Sequence, residues 1–473
     1  MLLNRITDTI TRSIEDTIEG IGETLFDPVI RVGVTGLSRA GKTVFITSLV
    51  ANLLDRSRLP QLRAAADGRI LSAYLQPHPD HTIPRFAFED HLAALTAPQP
   101  TWPESTRSIS TLRISLKLRP SGLLTGFGGS QTIHIDIFDY PGEWLLDLPL
   151  MKLDFETWCR NALETARKPS NIGLAEPYLN LLDRTDPSEK LDEKSASGLA
   201  EKYTAYLGAL REQGLSSVAP GRFLMPGDLE GSPALTFSPL PKPRQVSSRS
   251  LWKSFEARFE SYKRVVVDPF FRNHFSKLDR QIVLIDALGA ISDGPPAVED
   301  LRTTMAEILS CFRPGQNSWL APLLGRRVDR ILFAATKADH IHHSQHASLS
   351  GIVEALVQQA RERADFRGAK TAALSMASLR ATVEQTLDKN GKTIGLVRGT
   401  SSETGEEMAA FPGTLPENAS RILSPARHGA DEWDDANYSM ARFAPPRLDL
   451  RPGEALPHIR LDRALEFLIG DKI

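Results

Sequence analysis

Gly36-Leu37-Ser38-Arg39-Ala40-Gly41-Lys42-Thr43 fits the pattern G-x-x-x-x-G-K-[ST] at every fixed position. Glycines at 36 and 41 let the backbone wrap a phosphate with its N–H groups pointing inward. Lys42 supplies a point charge for the β- and γ-phosphates, and Thr43 supplies a hydroxyl for Mg²⁺. The preceding Arg31–Thr35 (RVGVT) is a short apolar run that predicts a buried strand. The following Thr43–Leu54 (TVFITSLVANLL) predicts a helix, whose positive dipole end would face the same anion. Strand, glycine loop and helix in this order predict nucleoside-triphosphate binding at Gly36, Ser38, Arg39, Ala40, Gly41, Lys42 and Thr43.

Outward from this loop the pattern alternates between strand and helix. Leu112–Leu118 (LRISLKL) and Ile133–Phe138 (IHIDIF) both alternate, and the glycine-rich Gly122–Ser130 between them predicts an antiparallel hairpin with a long tip. Ile282–Ile285, Ile331–Ala335 and the weaker Thr371–Leu374 read as further buried strands, separated by helical patterns at Val298–Cys311 and Leu349–Arg363. The alternation predicts an α/β fold with a mostly parallel sheet, a G-domain-like P-loop NTPase over 31–149 and 278–473. Two stretches interrupt it. Residues 150–277 are mainly helical by pattern, with a Pro-, Gly- and Ser-rich loop at Pro220–Ser248, and read as a large helical insertion. Residues 387–450 are polar and turn-rich, with a hairpin expected through Asp388-Lys389-Asn390-Gly391, and read as a smaller C-terminal insertion.

Two further motifs complete a nucleotide site. Ile133–Phe138 runs into Asp139-Tyr140-Pro141-Gly142-Glu143, a D-x-x-G segment. A carboxylate at that strand end can hold Mg²⁺ through water, and the N–H of Gly142 can approach a γ-phosphate. Asp286-Ala287-Leu288-Gly289 is a rival with the same spacing. A G domain needs one extra strand between this element and the base-reading motif. Only Asp139 leaves room for it, so Asp286 reads as a structural strand-end carboxylate. Ile331–Ala335 then leads into Thr336-Lys337-Ala338-Asp339, an [NT]-K-x-D element. Asp339 can accept from guanine N1–H and N2–H₂, a pair of donors adenine lacks, while the Lys337 stem covers one face of the base. Ser375 and Ala377 stand where G domains place a segment whose backbone N–H meets guanine O6. Thr106 is the expected switch threonine on Mg²⁺, beside Thr43 and Asp139. Lys42, Thr43, Asp139 and Gly142 are the residues expected to serve catalysis. Glu143 stands where Ras-like domains carry Gln, and beside a γ-phosphate it would be repelled, so slow intrinsic hydrolysis is expected. Arg39 reads either as a finger in cis or as an exposed loop residue. His342 and His346 have the i,i+4 spacing of helical metal ligands, but no nearby Cys supports zinc, and surface or helix-start roles are expected.

The chain has 473 residues, 41% hydrophobic and 24% charged, which excludes disorder and leaves room for more than one core. A net charge of -2 excludes a global basic footprint for nucleic acid. The two cysteines, Cys159 and Cys311, point to a reducing compartment and read as small core residues. Leu3, Ile6, Ile10, Ile14, Ile18, Ile21 and Leu25 recur at helical spacing, predicting an amphipathic helix over 1–30. Its six acids against Arg5 and Arg12 favour packing on protein over an anionic lipid surface. No run of about 18 apolar residues predicts a membrane span.

Four segments together resemble the YcjX-like P-loop NTPase family of bacteria: Gly33–Leu49, Asp139–Leu150, Thr336–His346 and Pro457–Ile473, with Arg222–Asp228 (RFLMPGD) as a fifth. The resemblance spans nearly the whole chain. It implies a GTPase-like fold with insertions and an association with envelope-stress responses. The expectation is a GTP-hydrolysing, Mg²⁺-using switch, with GTP and GDP ahead of ATP as ligands. A motor or chaperone ATPase and a nucleotide-holding module are the alternatives. The expected compartment is the cytoplasm, with peripheral contact at the inner membrane as a second reading. A protein partner is expected at the helical insertion or the N-terminal helix.

Overall fold

The computed structural model describes residues 27–37, 39–104, 108–119, 130–311, 328–366, 368–389, 392–433, 437–451 and 453–473. The expected N-terminal helix, apart from its last residues, and Ser38 and Thr106 lie outside the described residues. The chain divides into two compact units. The first comprises Met1–Tyr140, Leu278–Pro295 and Arg326–Ile473, and the second Pro141–Lys277 and Pro296–Gly325. The sequence patterning began the helical insertion at residue 150. The structural division falls earlier, inside the D-x-x-G segment, and assigns residues from Pro296 onward to the second unit.

The first unit is built on a seven-stranded sheet in the order β2-β3-β4-β1-β5-β6-β7. Its strands are β1 (Val29–Gly36), β2 (Ile70–Gln76), β3 (Ser110–Leu118), β4 (Gln131–Asp139), β5 (Arg280–Ile285), β6 (Arg330–Ala335) and β7 (Lys370–Ser375). β4, β1, β5, β6 and β7 are mutually parallel, and β3 and β2 extend the edge antiparallel. β1 is central, and Val32 and Val34 are 2% and 0% exposed, as a continuous apolar run in a parallel sheet requires. The β3–β4 hairpin is the one its alternation predicted. β2 was not predicted: Ile70–Gln76 (ILSAYLQ) has no clean period of two.

Helix α1 (Lys42–Asp55) is apolar almost all round. Phe45, Ile46, Val50 and Leu53 are fully buried in one core with Leu112, Ile114, Ile135 and Ile137. Helix α2 (Ala287–Asp293) follows β5, and α3 (His346–Leu356) precedes β7. The C-terminal α4 (Leu461–Ile469) docks through Leu461, Leu465 and Leu468. Its last carbonyls are capped by arginines from neighbouring strands. The Arg280 Nε donates to Leu468 O at 3.0 Å and an Arg330 guanidinium N–H to Phe467 O at 2.6 Å. Arg280 is 1% exposed and also pairs with Asp329 at 2.7 Å and Asp471 at 3.0 Å, so the buried charge is matched.

The C-terminal insertion carries a separate antiparallel sheet of β8 (Val383–Lys389), β9 (Lys392–Thr400) and β10 (Glu407–Ala410) in the order β10-β9-β8. Lys389 pairs with Lys392 across the expected hairpin, whose Asn390-Gly391 lie outside the described residues. The strands begin at Val383, four residues before the expected start of the insertion.

The second unit is helical with an aromatic core. Asp154, Asp192 and Ser250 cap the helices Phe155–Ala166, Glu193–Glu212 and Leu251–Tyr262. Trp158 stacks on Phe259 at 5.0 Å, with Tyr203 and Phe237 edge-on to the indole. Phe223, Phe237 and Leu240, from the Pro-rich stretch read as a loop, are buried here. Cys159 is buried as a small core residue, and burial pushes its thiol well above the ordinary range. Asp300, on the helix Pro295–Cys311, accepts from the backbone N–H groups of Ser216 and Ser217.

Candidate functional site

β1 ends at Gly36, where a Cβ would lie 2.8 Å from Leu284 O and 3.0 Å from Ala40 Cβ. Only glycine lets the loop turn this tightly against β5. Gly41 takes φ 80°, a left-handed conformation, and is the N-cap of α1. A glycine cap has no side chain to accept from the first-turn N–H groups, and the positive end of the helix dipole there favours an anion. The Lys42 ammonium folds back on the loop and donates to Gly36 O at 2.9 Å. Thr43 follows in the first turn, 8% exposed. Beneath the loop the Thr35 hydroxyl donates to Ile282 O at 2.8 Å and accepts from the Gln281 amide at 2.7 Å, a buried polar brace between β1 and β5.

Asp139 ends β4, in register with Val34 of β1, and is 2% exposed. Asp286 ends β5 on the other flank of β1. In chain order β5 lies between β4 and β6, so one strand separates Asp139 from Thr336–Asp339. The Asp286 carboxylate has other work. It accepts from Gly289 N–H at 3.0 Å, capping α2, and forms an ion pair with Lys337. Beyond Asp139, Gly142 opens a 3-10 stretch over Gly142–Lys152. There Glu143 is 5% exposed and its carboxylate faces Arg211 at 3.6 Å, within the second unit.

Within that unit the 3-10 stretch is gripped by the RFLMPGD segment. Asp147 accepts from Gly221 N–H at 2.7 Å, Arg222 N–H at 3.2 Å and the Tyr262 hydroxyl at 2.6 Å. The Arg222 guanidinium lies 3.1 Å over the Trp144 ring, whose N–H donates to Met225 O at 3.0 Å. A Cβ on Gly221 would fall 1.8 Å from Glu143 O, so this position admits no side chain. Burial pushes the Asp147 carboxyl up to about 6, against its three hydrogen bonds and the Arg222 charge, which pull it down.

β6 leads into Thr336, whose N–H donates to Ile285 O at 3.0 Å. Lys337 takes φ 59°, turning the chain so that Ala338 N–H reaches Met376 O at 3.0 Å. Asp339 is 4% exposed. One carboxylate oxygen accepts from Ala381 N–H at 2.8 Å, and its backbone carbonyl accepts from the Thr382 hydroxyl. These partners lie just before β8, and nothing in the local sequence of Thr336–Asp339 signals them. The Lys337 ammonium, paired with Asp286, leaves the stem of the side chain as its apolar surface.

The structure places four of the remaining residues as follows. Ser375 is fully buried, its N–H donating to the Ser350 hydroxyl at 2.9 Å. Ala377 N–H donates to Ile459 O at 3.0 Å, and Ile459 N–H returns to Ala377 O at 2.9 Å. Both N–H groups are taken up by these partners, which brace the loop. Ile459 makes this contact as an isolated bridge just before α4, and Arg460 adds a hydrogen bond to Ser375 O at 3.0 Å. His346 is not a ligand partner of His342. It is buried, with its Nε2 at 2.8 Å from Ala338 O, and burial and the Arg460 charge lower its pKa. Arg39 has φ 63° and is exposed; its charge, with those of Arg442 and Lys337, acts on Asp293, whose carboxyl is raised by burial and by Asp286. Arg442, from the insertion, is a charged neighbour of Asp293 that no motif marks.

A family model described as the YcjX-like family, DUF463, matches residues 30–473. The chain belongs to the YcjX-like family. It is 38% identical over 459 residues to the Ras-like GTPase YcjX of Escherichia coli, covering 94% of this chain and 96% of that protein. It is 34% identical over 470 residues to the Ras-like GTPase YcjX of Shewanella oneidensis, covering 94% and 95% respectively. The α/β architecture, with a mostly parallel sheet, a P-loop after β1, Asp139 after β4 and TKAD after β6, fits that family of GTPase-like P-loop proteins. Among the described residues no helix is long and apolar enough to cross a membrane.

Proposed function

We propose that this YcjX-like protein binds GTP and hydrolyses it slowly to GDP, and that its nucleotide state is a switch in a bacterial stress response. The observation that carries the guanine reading is the buried Asp339 at the end of β6, two strands from the P-loop strand in the same parallel sheet. Its carboxylate keeps lone pairs beyond the one used by Ala381 N–H, enough for both N–H donors of a guanine edge. Lys42 and the N-terminal turn of α1, with its positive dipole end, bind the phosphates. The stress role rests on family resemblance alone.

Mg²⁺ would be held by the Thr43 hydroxyl and, through water, by Asp139; oxygen donors of this kind suit a hard cation, and both residues stand at the sheet's carboxyl end. The bound ion would neutralise charge on the β- and γ-phosphate oxygens. Glu143, turned to Arg211, is not a substitute for a water-orienting Gln, which supports a slow intrinsic rate. Multiple-turnover phosphate release from GTP, with Mg²⁺ and with chelator, tests this. Slow, Mg²⁺-dependent release is expected. Tight GTP binding with no release at all would make the protein a nucleotide-holding module.

A further inference from the structure

We propose that His342, His343 and Glu384 form a binding site for one divalent transition-metal ion of the zinc type. The three side chains offer two imidazole nitrogens and a carboxylate oxygen, all within 4.8 Å of one another. Glu384 Oε2 lies 2.7 Å from His343 Nδ1 and 4.0 Å from His342 Nε2. Ligand atoms of a tetrahedral zinc ion sit about 3.3 Å apart, so small rotations bring the set into range. Two imidazoles and one carboxylate, with room left for water, match zinc, copper or nickel and not magnesium or calcium.

The cluster is more ordered than a surface charge pair. The His342 side chain is 11% exposed and packs on Gly395 of β9, where a Cβ would lie 2.5 Å from His342 Cγ. Ser344 holds His342 Nδ1 at 2.9 Å, so Nε2 is the nitrogen free to face Glu384. Such an outer hydrogen bond fixes a ligating ring in position. Glu384 is in turn held by His343 N–H, which donates to Oε1 at 3.0 Å and leaves Oε2 toward the imidazoles. The His343 side chain is 67% exposed, which gives an ion entry and open positions for water.

The site joins the segment just after Asp339 to β8. Ala381 and Thr382, which hold Asp339, lie immediately before this strand. An ion here would fasten the C-terminal insertion to the base-side loop. The sequence hid the site because Glu384 is 41 residues from His343.

The test uses tag-free, chelator-stripped full-length protein without nucleotide, in excess Mg²⁺ so that hard-cation sites are filled. Zn²⁺ is titrated by calorimetry, and Co²⁺ by its visible absorption. One saturable equivalent is expected, with a Co²⁺ band at that stoichiometry. His343→Ala and Glu384→Gln, a surface change and a near-isosteric one, should each weaken binding at least about 10-fold and remove the band. His428→Ala, at an exposed histidine elsewhere, should change neither. Zn²⁺ binding in the wild type no tighter than in the Glu384→Gln variant, with both melting alike, would overturn the site. So would a Co²⁺ band that survives His343→Ala.

Discussion

Asp139 lies beside Val34 in the parallel pairing of β4 and β1, two residues before the first glycine of the P-loop. The other neighbour of β1 is β5, and it too ends in an acid, Asp286. The sheet thus brings two carboxylates to its carboxyl end, one on each side of the phosphate loop. They are told apart by what they touch: Asp286 caps α2 and pairs with Lys337. Asp139→Asn should therefore lower Mg²⁺-dependent hydrolysis more than Asp286→Asn does. The latter should instead lose a helix cap and an ion pair, costing stability by about 1 kcal/mol. Phosphate release and thermal melts on both variants measure this, and the opposite ranking of hydrolysis would reverse the assignment.

Lys42→Ala should abolish tight triphosphate binding. Hydrogen bonds to charged groups contribute about 1.5–3 kcal/mol each, so a loss of affinity of at least about 10-fold is expected in calorimetry. The fold should persist, because the ammonium donates within the protein to the carbonyl of Gly36, a contact of the loop itself. Undiminished affinity in a folded variant would remove the P-loop reading.

Gly221→Ala should destabilise the protein by more than the roughly 1–3 kcal/mol of ordinary overpacking, because the added methyl would meet the fixed backbone of Glu143. A melting temperature equal to wild type would refute the close approach between these segments.

Asp147 gives a pH signature. Its carboxyl titrates near 3.8 in the unfolded chain and at about 6 when folded. Between these values only the folded chain keeps the proton, so this group's contribution to stability grows as pH falls through 6. It is complete below about 4 and smallest above 6. The stability of wild type relative to Asp147→Asn should rise by roughly 1 kcal/mol from pH 7 to pH 5. Denaturant melts at the two pH values measure it; a constant difference would mean that burial does not perturb this carboxyl.

Much of the site was legible because each element announces itself locally. The P-loop, DYPG and TKAD follow apolar strands, and the order of those strands is the ground for proposing Asp139 over Asp286. What escaped depends on long-range pairing. Ser375 and Ala377 look like a base-reading loop until Ile459 and Ser350 are seen to occupy their amides. Glu143 turns to Arg211, and Asp339 is steadied by Ala381, partners 68 and 42 residues away in sequence. The Pro-rich stretch after Pro220 reads as loop by composition, yet Phe223 and Phe237 bury it in an aromatic core. Local periodicity carries no information about such contacts.

The central claim is guanine recognition by Asp339. Calorimetric titration of GTP, ATP and xanthosine triphosphate into wild type and Asp339→Asn tests it most directly. Asparagine replaces one acceptor with a donor, so the variant should lose GTP and gain xanthosine triphosphate, whose C2 carbonyl accepts that donor. Wild type should prefer GTP over ATP by several kcal/mol at most, since two hydrogen bonds to a charged group contribute about 1.5–3 kcal/mol each. A wild type that prefers ATP, or a folded Asp339→Asn variant with full GTP affinity, would contradict the GTPase account.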